Sequence, residues 1–557
     1  MVNSTGSQNT AVGSNALAAN TTGANNVSIG YLSMDANTTG TENVAVGGRA
    51  LDANTTTSYH TAIGTNALST NTTGTEITAV GYKALFANTT GYYSTAVGFG
   101  ALDAQVGSAV CTAVGHTALG SLTTGHYNTA VGYGAGASIT TGQYNVAMGV
   151  GALDAAAICD YNTAIGYGAL TAQGNVSGNT AVGYSALAAN TTGTPNVAIG
   201  KNAMLANTGG YNNVAVGSAA LDANTTGADN TAIGDNALGA NTTASNNTAM
   251  GYAALIANTT GANNVAVGAL TLDAATTAEG NTAVGQGSMS ATTTGASNTA
   301  VGLSSLYTNI TGANNSAVGT GALFTSTVSN NTAVGYHALY ANTIGVSGVA
   351  IGTNAGDLIT TGNDNICIGV QSGSNTVNLT TGSQNILIGT FSHTSAAGSG
   401  YQYVNGYDAV GSGDDTATFG HGATDSTLSL GGTTWSAPSD IRYKEDIQDE
   451  VVGLNFINEL RPVTFLWKKE KDLPKDHTAY VKDSEERTMN GKYNHGFIAQ
   501  EVKEVIDNHP EIKEGFDMWK EDDTDGRQRI GESALVPMLT KAVQELSAKV
   551  EVLEKEK

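Results

Sequence analysis

The sequence predicts a mainly β chain: a parallel β-solenoid, or β-roll, shaft of 17-residue coils, followed by a small α/β domain and a C-terminal coiled coil. Three observations predict it. A block reading Thr/Val-Ala-Val/Ile-Gly starts at Thr10 and returns every 17 residues through Ser316. It returns at Thr332, one residue early, then at Val349, Ile366 and Ile386, the last three residues late, making 23 copies. A fixed short period over hundreds of residues marks a solenoid, in which a repeat buries its apolar face only by stacking on the next. Secondly, only Arg49, Lys83 and Lys201 are basic in residues 1–438, whereas the other 19 Lys and Arg lie in 439–557. Thirdly, Leu535, Leu539, Val543, Leu546, Val550 and Leu553 are spaced by fours and threes, as in a coiled-coil seam.

The stretch Asn9–Asn25 serves as the type repeat. Thr10-Ala11-Val12 alternates with period two and reads as a strand. Gly13 ends it and reads as a position needing positive φ or close approach to a neighbour. Ala16-Leu17-Ala18 reads as a second short strand, and Asn20-Thr21-Thr22-Gly23 as the turn back, with Asn and Gly supplying unusual backbone angles. Stacking then builds an apolar ladder of Val12, Ile29 and Val46, another of Leu17, Met34 and Leu51, and a hydrogen-bonded one of Asn20, Asn37 and Asn54. Ordering the backbone costs about 1–2 kcal/mol per residue, and a buried Val or Leu returns about 1.5–3 kcal/mol. With about two such side chains per coil, a single column is under-stabilised, so a homo-oligomer is expected, and a threefold one, a homotrimer, fits a fibre. At about 4.8 Å per coil the rod is about 110 Å long.

The beat fills residues 1–389. Residues 390–438 are Gly/Ser-rich but hold Tyr401, Tyr403, Tyr407, Phe419 and Trp435, which predicts a small β-structured neck or tip. The charge boundary opens the α/β domain, 439–531, and the coiled coil follows at 532–557.

A net charge of −23 argues against nucleic acid as a partner. No run of about 18 apolar residues is present, so no membrane span is expected. No cofactor or metal is expected either. Cys111, Cys159 and Cys367 stand singly in three repeats, without metal-ligand spacing, and read as small buried hydrophobes. The chain opens on Met1-Val2-Asn3-Ser4 inside its first repeat, with no charged start and no apolar run of a signal peptide. An anchor or baseplate is therefore expected in a separate protein, or in a part of the protein outside this chain.

The repeats resemble the head domains of trimeric autotransporter adhesins, which stack short coils carrying an Ala-Ile/Val-Gly strand in a trimer. The period here is longer, with the extra residues in the Asn-Thr-Thr-Gly turn. Past the charge boundary come Ser439-Asp440-Ile441-Arg442-Tyr443-Lys444-Glu445-Asp446-Ile447, Leu460-Arg461-Pro462-Val463-Thr464-Phe465, Gly496-Phe497-Ile498-Ala499-Gln500-Glu501-Val502 and the terminal helix. In that order they resemble the intramolecular chaperone domain of phage tailspikes and tail fibres, the self-cleaving endosialidase-type family. The resemblance implies a domain that trimerises, guides folding of the β-fibre before it and cuts itself off with a serine–lysine dyad. Ser439 is then the nucleophile, Lys444 the general base and Pro438–Ser439 the cleaved bond. A serine hydroxyl attacks only when a neighbour takes its proton, and a desolvated lysine can do so. His495 could help position the dyad, or be an exposed histidine at a strand edge.

The expected function is a trimeric fibre, on a virion or an extracellular cell surface, that binds a cell-surface glycan or protein receptor. The residue after the block glycine is often aromatic, as at Tyr31, Tyr82, Phe99, Tyr133, Tyr167, Tyr184, Tyr252 and Tyr336. Beside Asn and Thr, such rings suit sugar recognition, or they simply cover the stack. A polysaccharide-degrading tailspike is one alternative, but it needs paired carboxylates. Asp35, Asp52, Asp103, Asp154, Asp222 and Asp273 share one repeat position and read as a surface ladder. A bacterial adhesin that keeps its chaperone as a cap is another, and an ice-binding Thr array a third.

Overall fold

The computed structural model describes residues 5–107, 110–422, 425–432, 436, 441, 444–475, 479–512, 518–521, 528–531 and 534–556. The chain forms two compact units, Met1–Pro438 and Ser439–Lys557. In the first, each block forms one short strand, from β1 (Thr10–Val12) through β23 (Ile386–Ile388). Each strand pairs in parallel with the next: Thr10 with Val27, Ala11 with Ser28, Val12 with Ile29. The short coil before Thr332 and the long one before Ile386 keep this register. The ladder continues beyond residue 389. Strands β24 (Tyr403–Asn405) and β25 (Thr416–Phe419) extend it in parallel, and β26 (Ser426–Ser429) closes it with an antiparallel pairing.

Side chains alternate across a strand, so the first and third residues of a block share one face and the middle residue takes the other. The middle residue is the one inside: Ala45, Ala62 and Ala79 are fully buried, as is Leu387 near the end. The Val/Ile ladder expected in the core lies outside, with Val12 57% and Ile29 38% exposed. The coil is too narrow to hold it, because Ala16, Leu17 and two rows of asparagine already fill the interior. The Leu17, Met34, Leu51 ladder is buried as expected.

Each coil has one strand, not two. Ala16-Leu17-Ala18 is a turn, and Leu17, Met34 and Leu51 have φ of 54°, 51° and 53°. A left-handed leucine costs about 1–2 kcal/mol, less than burying its side chain returns. The segment still bonds to the next coil, Leu17 N–H donating to the Ser33 carbonyl at 3.0 Å. Asn20 and Gly23 do not supply the left-handed angles; Asn15, Leu17 and Asn25 do. Gly23 is required for space, since a Cβ there would lie 2.3 Å from the Gly40 oxygen. Gly13 meets both expectations, with φ of 134° and the Gly30 oxygen 2.5 Å from where a Cβ would stand.

Two buried asparagine rows run between coils. In one, the Asn37 amide donates to Asn20 Oδ1 at 3.1 Å and the Asn54 amide to Asn37 Oδ1 at 3.2 Å. In the other, Asn26 N–H donates to Asn9 Oδ1 at 2.9 Å and Asn43 N–H to Asn26 Oδ1 at 3.0 Å. The rows cover for each other. Where the first is broken by Leu122, Ile139 and Ala156, the second holds through Asn128, Asn145 and Asn162. Where the second is broken by Ile77, Ser94 and Cys111, the first holds through Asn71 and Asn88. All three cysteines are buried as thiols. Burial pushes the Cys367 thiol up to about 12, as suits a small core hydrophobe.

Two predictions follow from this packing. Gly200→Ala, whose Cβ would meet the Gly217 oxygen at 2.2 Å, is expected to destabilise the shaft by about 3 kcal/mol in thermal unfolding. Gly48→Ala, where the nearest atom lies 3.9 Å away, is expected to be near neutral. His60 takes an asparagine's place in the second row, and burial lowers its pKa from 6.5 to about 4. The unfolded chain binds a proton below pH 6.5 that the folded chain refuses until about 4, so stability falls as pH drops through that window. The loss approaches about 3 kcal/mol at 1.4 kcal/mol per pH unit, and His60→Asn is expected to abolish it in melts at pH 7 and pH 4.5.

Candidate functional site

The second unit is built around its terminal helix, α3 (Leu535–Lys555). Leu535, Met538 and Ala542 bury one side of it. Leu535 and Met538 meet Phe456 and Leu460 from around α1 (Leu454–Glu459) and Val502 from α2 (Ala499–Asp507). Glu545 on α3 accepts the Leu454 N–H at 3.0 Å and so caps α1, whose own N-cap residue, Gly453, has no side chain to do it. The other side of α3 is exposed: Leu539, Val543, Leu546, Val550 and Leu553 are 44–64% exposed. These are five of the six expected seam residues, and the sixth, Leu535, belongs to the domain core.

Strand β27 (Val463–Phe465) pairs antiparallel with β28 (Asn494–Gly496), setting Thr464 opposite His495. His495 is exposed and lies 3.3 Å from the Thr464 hydroxyl. A shallow cavity of about 330 Å³ opens there, lined by Pro462, Val463, Thr464, His495, Gly496 and Phe497. Arg461 beside it pairs with Glu501 on α2. His509 stacks edge-on to Phe456 and contacts Glu459 at 3.3 Å and Glu511 at 2.6 Å. The Glu511 hydrogen bond, with Glu459 behind it, holds the imidazole above its ordinary pKa. Except for the local His509–Glu511 contact, these ties join residues from different elements and cannot be read from the sequence.

Along the shaft, the rings after the block glycine form a column. Tyr82, Phe99, His116 and Tyr133 stack in succession with centroids 4.9–5.1 Å apart, and Tyr167 stacks on Tyr184 at 5.3 Å. Tyr336 is covered by His337 at 3.8 Å. Stacked rings occupy each other's faces and offer a partner their edges and hydroxyls. Tyr31 and Tyr252 differ, because their column neighbours are Ser14 and Gly48, and Asp235 and Ala269, so no aromatic neighbour covers their faces. A second column stands two residues before the strand and includes Tyr127, Tyr144 and Tyr161, stacked 5.0 Å apart. Its signal was present in the sequence as tyrosines recurring at the repeat interval. In the Asp ladder, half-burial and then the Asp35 charge one coil away raise the Asp52 carboxyl. Among the described residues no three His, Cys, Asp or Glu side chains cluster as a metal site, and no helix is long and apolar enough to cross a membrane.

Residues 439–509 match the family described as chaperone of endosialidase. Neither the curated proteins nor the solved structures hold a match to the chain. A long β-solenoid followed by this chaperone domain fits a tail fibre or tailspike that carries its own C-terminal folding aid. The matched stretch takes in both residues of the expected dyad. Ser439 and Pro438 lie outside the described residues. Lys444 is exposed, and its backbone N–H donates to the Ile441 carbonyl at 3.2 Å. The chaperone domain is expected to lose about 1 kcal/mol of stability in Glu545→Ala through the uncapped α1, measured by denaturant unfolding, with little change in Glu545→Gln.

Proposed function

We propose that the chain is a homotrimeric fibre that binds a cell-surface receptor, a glycan rather than a protein, along its shaft. On this reading the C-terminal chaperone domain assembles it and then detaches itself. The supporting observation is the unpartnered apolar face of α3, Leu539, Val543, Leu546, Val550 and Leu553, on a domain of the endosialidase-chaperone type. Exposed valine and isoleucine on the strand face of the shaft support it independently, since a second copy would cover a row that a lone coil cannot bury. The fibre belongs on a virion or outside the cell, joined to a separate anchor or baseplate protein.

Detachment would use Ser439 and Lys444. The Lys444 amine takes the Ser439 hydroxyl proton, Oγ attacks the Pro438 carbonyl carbon, and the peptide C–N bond breaks as the nitrogen is protonated. Water then hydrolyses the ester, leaving a Pro438 carboxylate and a Ser439 amine. Proline on the acyl side is compatible, because no N–H is needed there. A lysine acts as base only when desolvation lowers its pKa, and Lys444 is exposed in the single chain. Cleavage is therefore expected only after chains assemble around it. For the receptor, Tyr31, Tyr82, Phe99, Tyr133, Tyr167, Tyr184, Tyr252 and Tyr336 are the proposed contacts. Tyr31 and Tyr252, with no aromatic neighbour on their faces, are the ones expected to stack on sugar rings.

Wild-type protein is expected to give a shortened fibre band and a released fragment on a denaturing gel, and light scattering to give a trimer. Ser439→Ala and Lys444→Ala should each trimerise but remain full length. Wild-type protein that trimerises and stays intact would rule out the dyad and leave the domain as a permanent cap. A monomer would rule out the fibre.

A further inference from the structure

We infer that the second aromatic column, centred on Tyr127, Tyr144 and Tyr161, is a binding site for an extended, neutral, β-linked polysaccharide lying along the shaft. The inference rests on the glycan-binding reading above but names different residues and a narrower ligand class.

Tyr127, Tyr144 and Tyr161 have φ of 57°, 58° and 57°, and Tyr59 and Tyr93 have 66° and 53° at the same repeat position. The coil imposes that backbone along the shaft, on Glu42, Val110 and Gln384 as on Asn212, Asp229 and Gly280. Asn and Gly adopt it most readily, so tyrosine at this position is not chosen for the backbone. The five tyrosines fall within seven consecutive coils, between residues 59 and 161. Their backbone is fixed by the coil stack: Tyr144 N–H donates to the His126 carbonyl and Tyr161 N–H to the Gln143 carbonyl, both at 3.1 Å. They are not there to fill the core, being 45–64% exposed.

The geometry identifies the ligand class. Tyr127–Tyr144 and Tyr144–Tyr161 both stack at 5.0 Å, with planes 13° and 2° apart. Their faces are covered, so the column presents ring edges and hydroxyls at a spacing close to the advance of one hexose in an extended β-linked chain. An α-linked chain coils and loses that match. Charge argues for a neutral ligand, because residues 1–438 hold three basic residues against eighteen acidic ones and would repel a polyanion.

The test uses the full chain and two neutral hexasaccharides, β-(1→4)-linked cellohexaose and α-(1→4)-linked maltohexaose, with Kd read by titration calorimetry and Tm by melting. Wild type should prefer cellohexaose by about tenfold or more. The Tyr127→Asn, Tyr144→Asn, Tyr161→Asn triple variant should lose about tenfold in cellohexaose affinity with Tm unchanged or raised, because Asn relieves the strain. The corresponding Tyr→Phe triple variant keeps the stack and should lose several-fold through its hydroxyls alone, with Tm unchanged. Unchanged affinity in both triple variants overturns the inference; if Tyr31→Ala with Tyr252→Ala then weakens binding, the broader glycan reading survives. A Tm fall with unchanged affinity overturns it too and makes the column a structural cover. Equal binding of both sugars, or of neither by wild type, likewise overturns it.

Discussion

The shaft depends on the contact between successive block glycines. At Gly30 a Cβ would stand 2.4 Å from the Gly47 oxygen, and at Gly217 it would stand 2.3 Å from the Gly234 oxygen. Any side chain there would force neighbouring coils apart and break the parallel strand pairing on either side. Because the glycines also sit near φ of 138° and 141°, they turn the chain out of each strand within one residue. Close approach and sharp turning together let 17 residues close a coil with an interior just wide enough for alanine, one leucine and asparagine.

That narrow interior accounts for the two asparagine rows. A buried amide left unpaired is destabilising, but an amide stacked on its own kind is satisfied above and below. The rows are broken in different places, at Leu122 to Ala156 in one and at Ile77 to Cys111 in the other, so a polar row joins most of these coils to the next, the step from Gln105 and Cys111 to Leu122 and Asn128 excepted. Near-identical repeats carry a hazard as well. A slip of one whole coil preserves most ladders, and in the proposed trimer three chains must agree on register. On the proposed reading, a chaperone domain that brings chain ends together first would be a physical answer to this degeneracy.

Much of the fold was legible because the repeat is so regular. The 23 strand starts, the buried leucine ladder and the asparagine bonds all follow from the beat. The Val/Ile ladder was misplaced because hydrophobicity was followed in preference to alternation: in Thr10-Ala11-Val12 the small middle residue is the inward one. The left-handed Leu17 was hidden because propensity disfavours it, and only coil closure imposes it. The ladder beyond residue 389 was missed because β24 and β25 no longer carry the Ala-Val-Gly block. In the chaperone domain, the motifs pointed to its type. The Glu545 cap and the Glu459–His509 contact could not be read, since they join residues far apart in sequence.

The measurement that tests the account most directly is the axial rise per repeat, from diffraction of aligned shafts. One coil per 17-residue block requires a meridional reflection near 4.8 Å, the spacing of paired strands crossing the long axis. The same reflection on the equator would mean that the strands run along the axis, and an axial repeat near 10 Å per block would mean that each block folds into two layers. Either result would contradict the glycine-to-glycine stack.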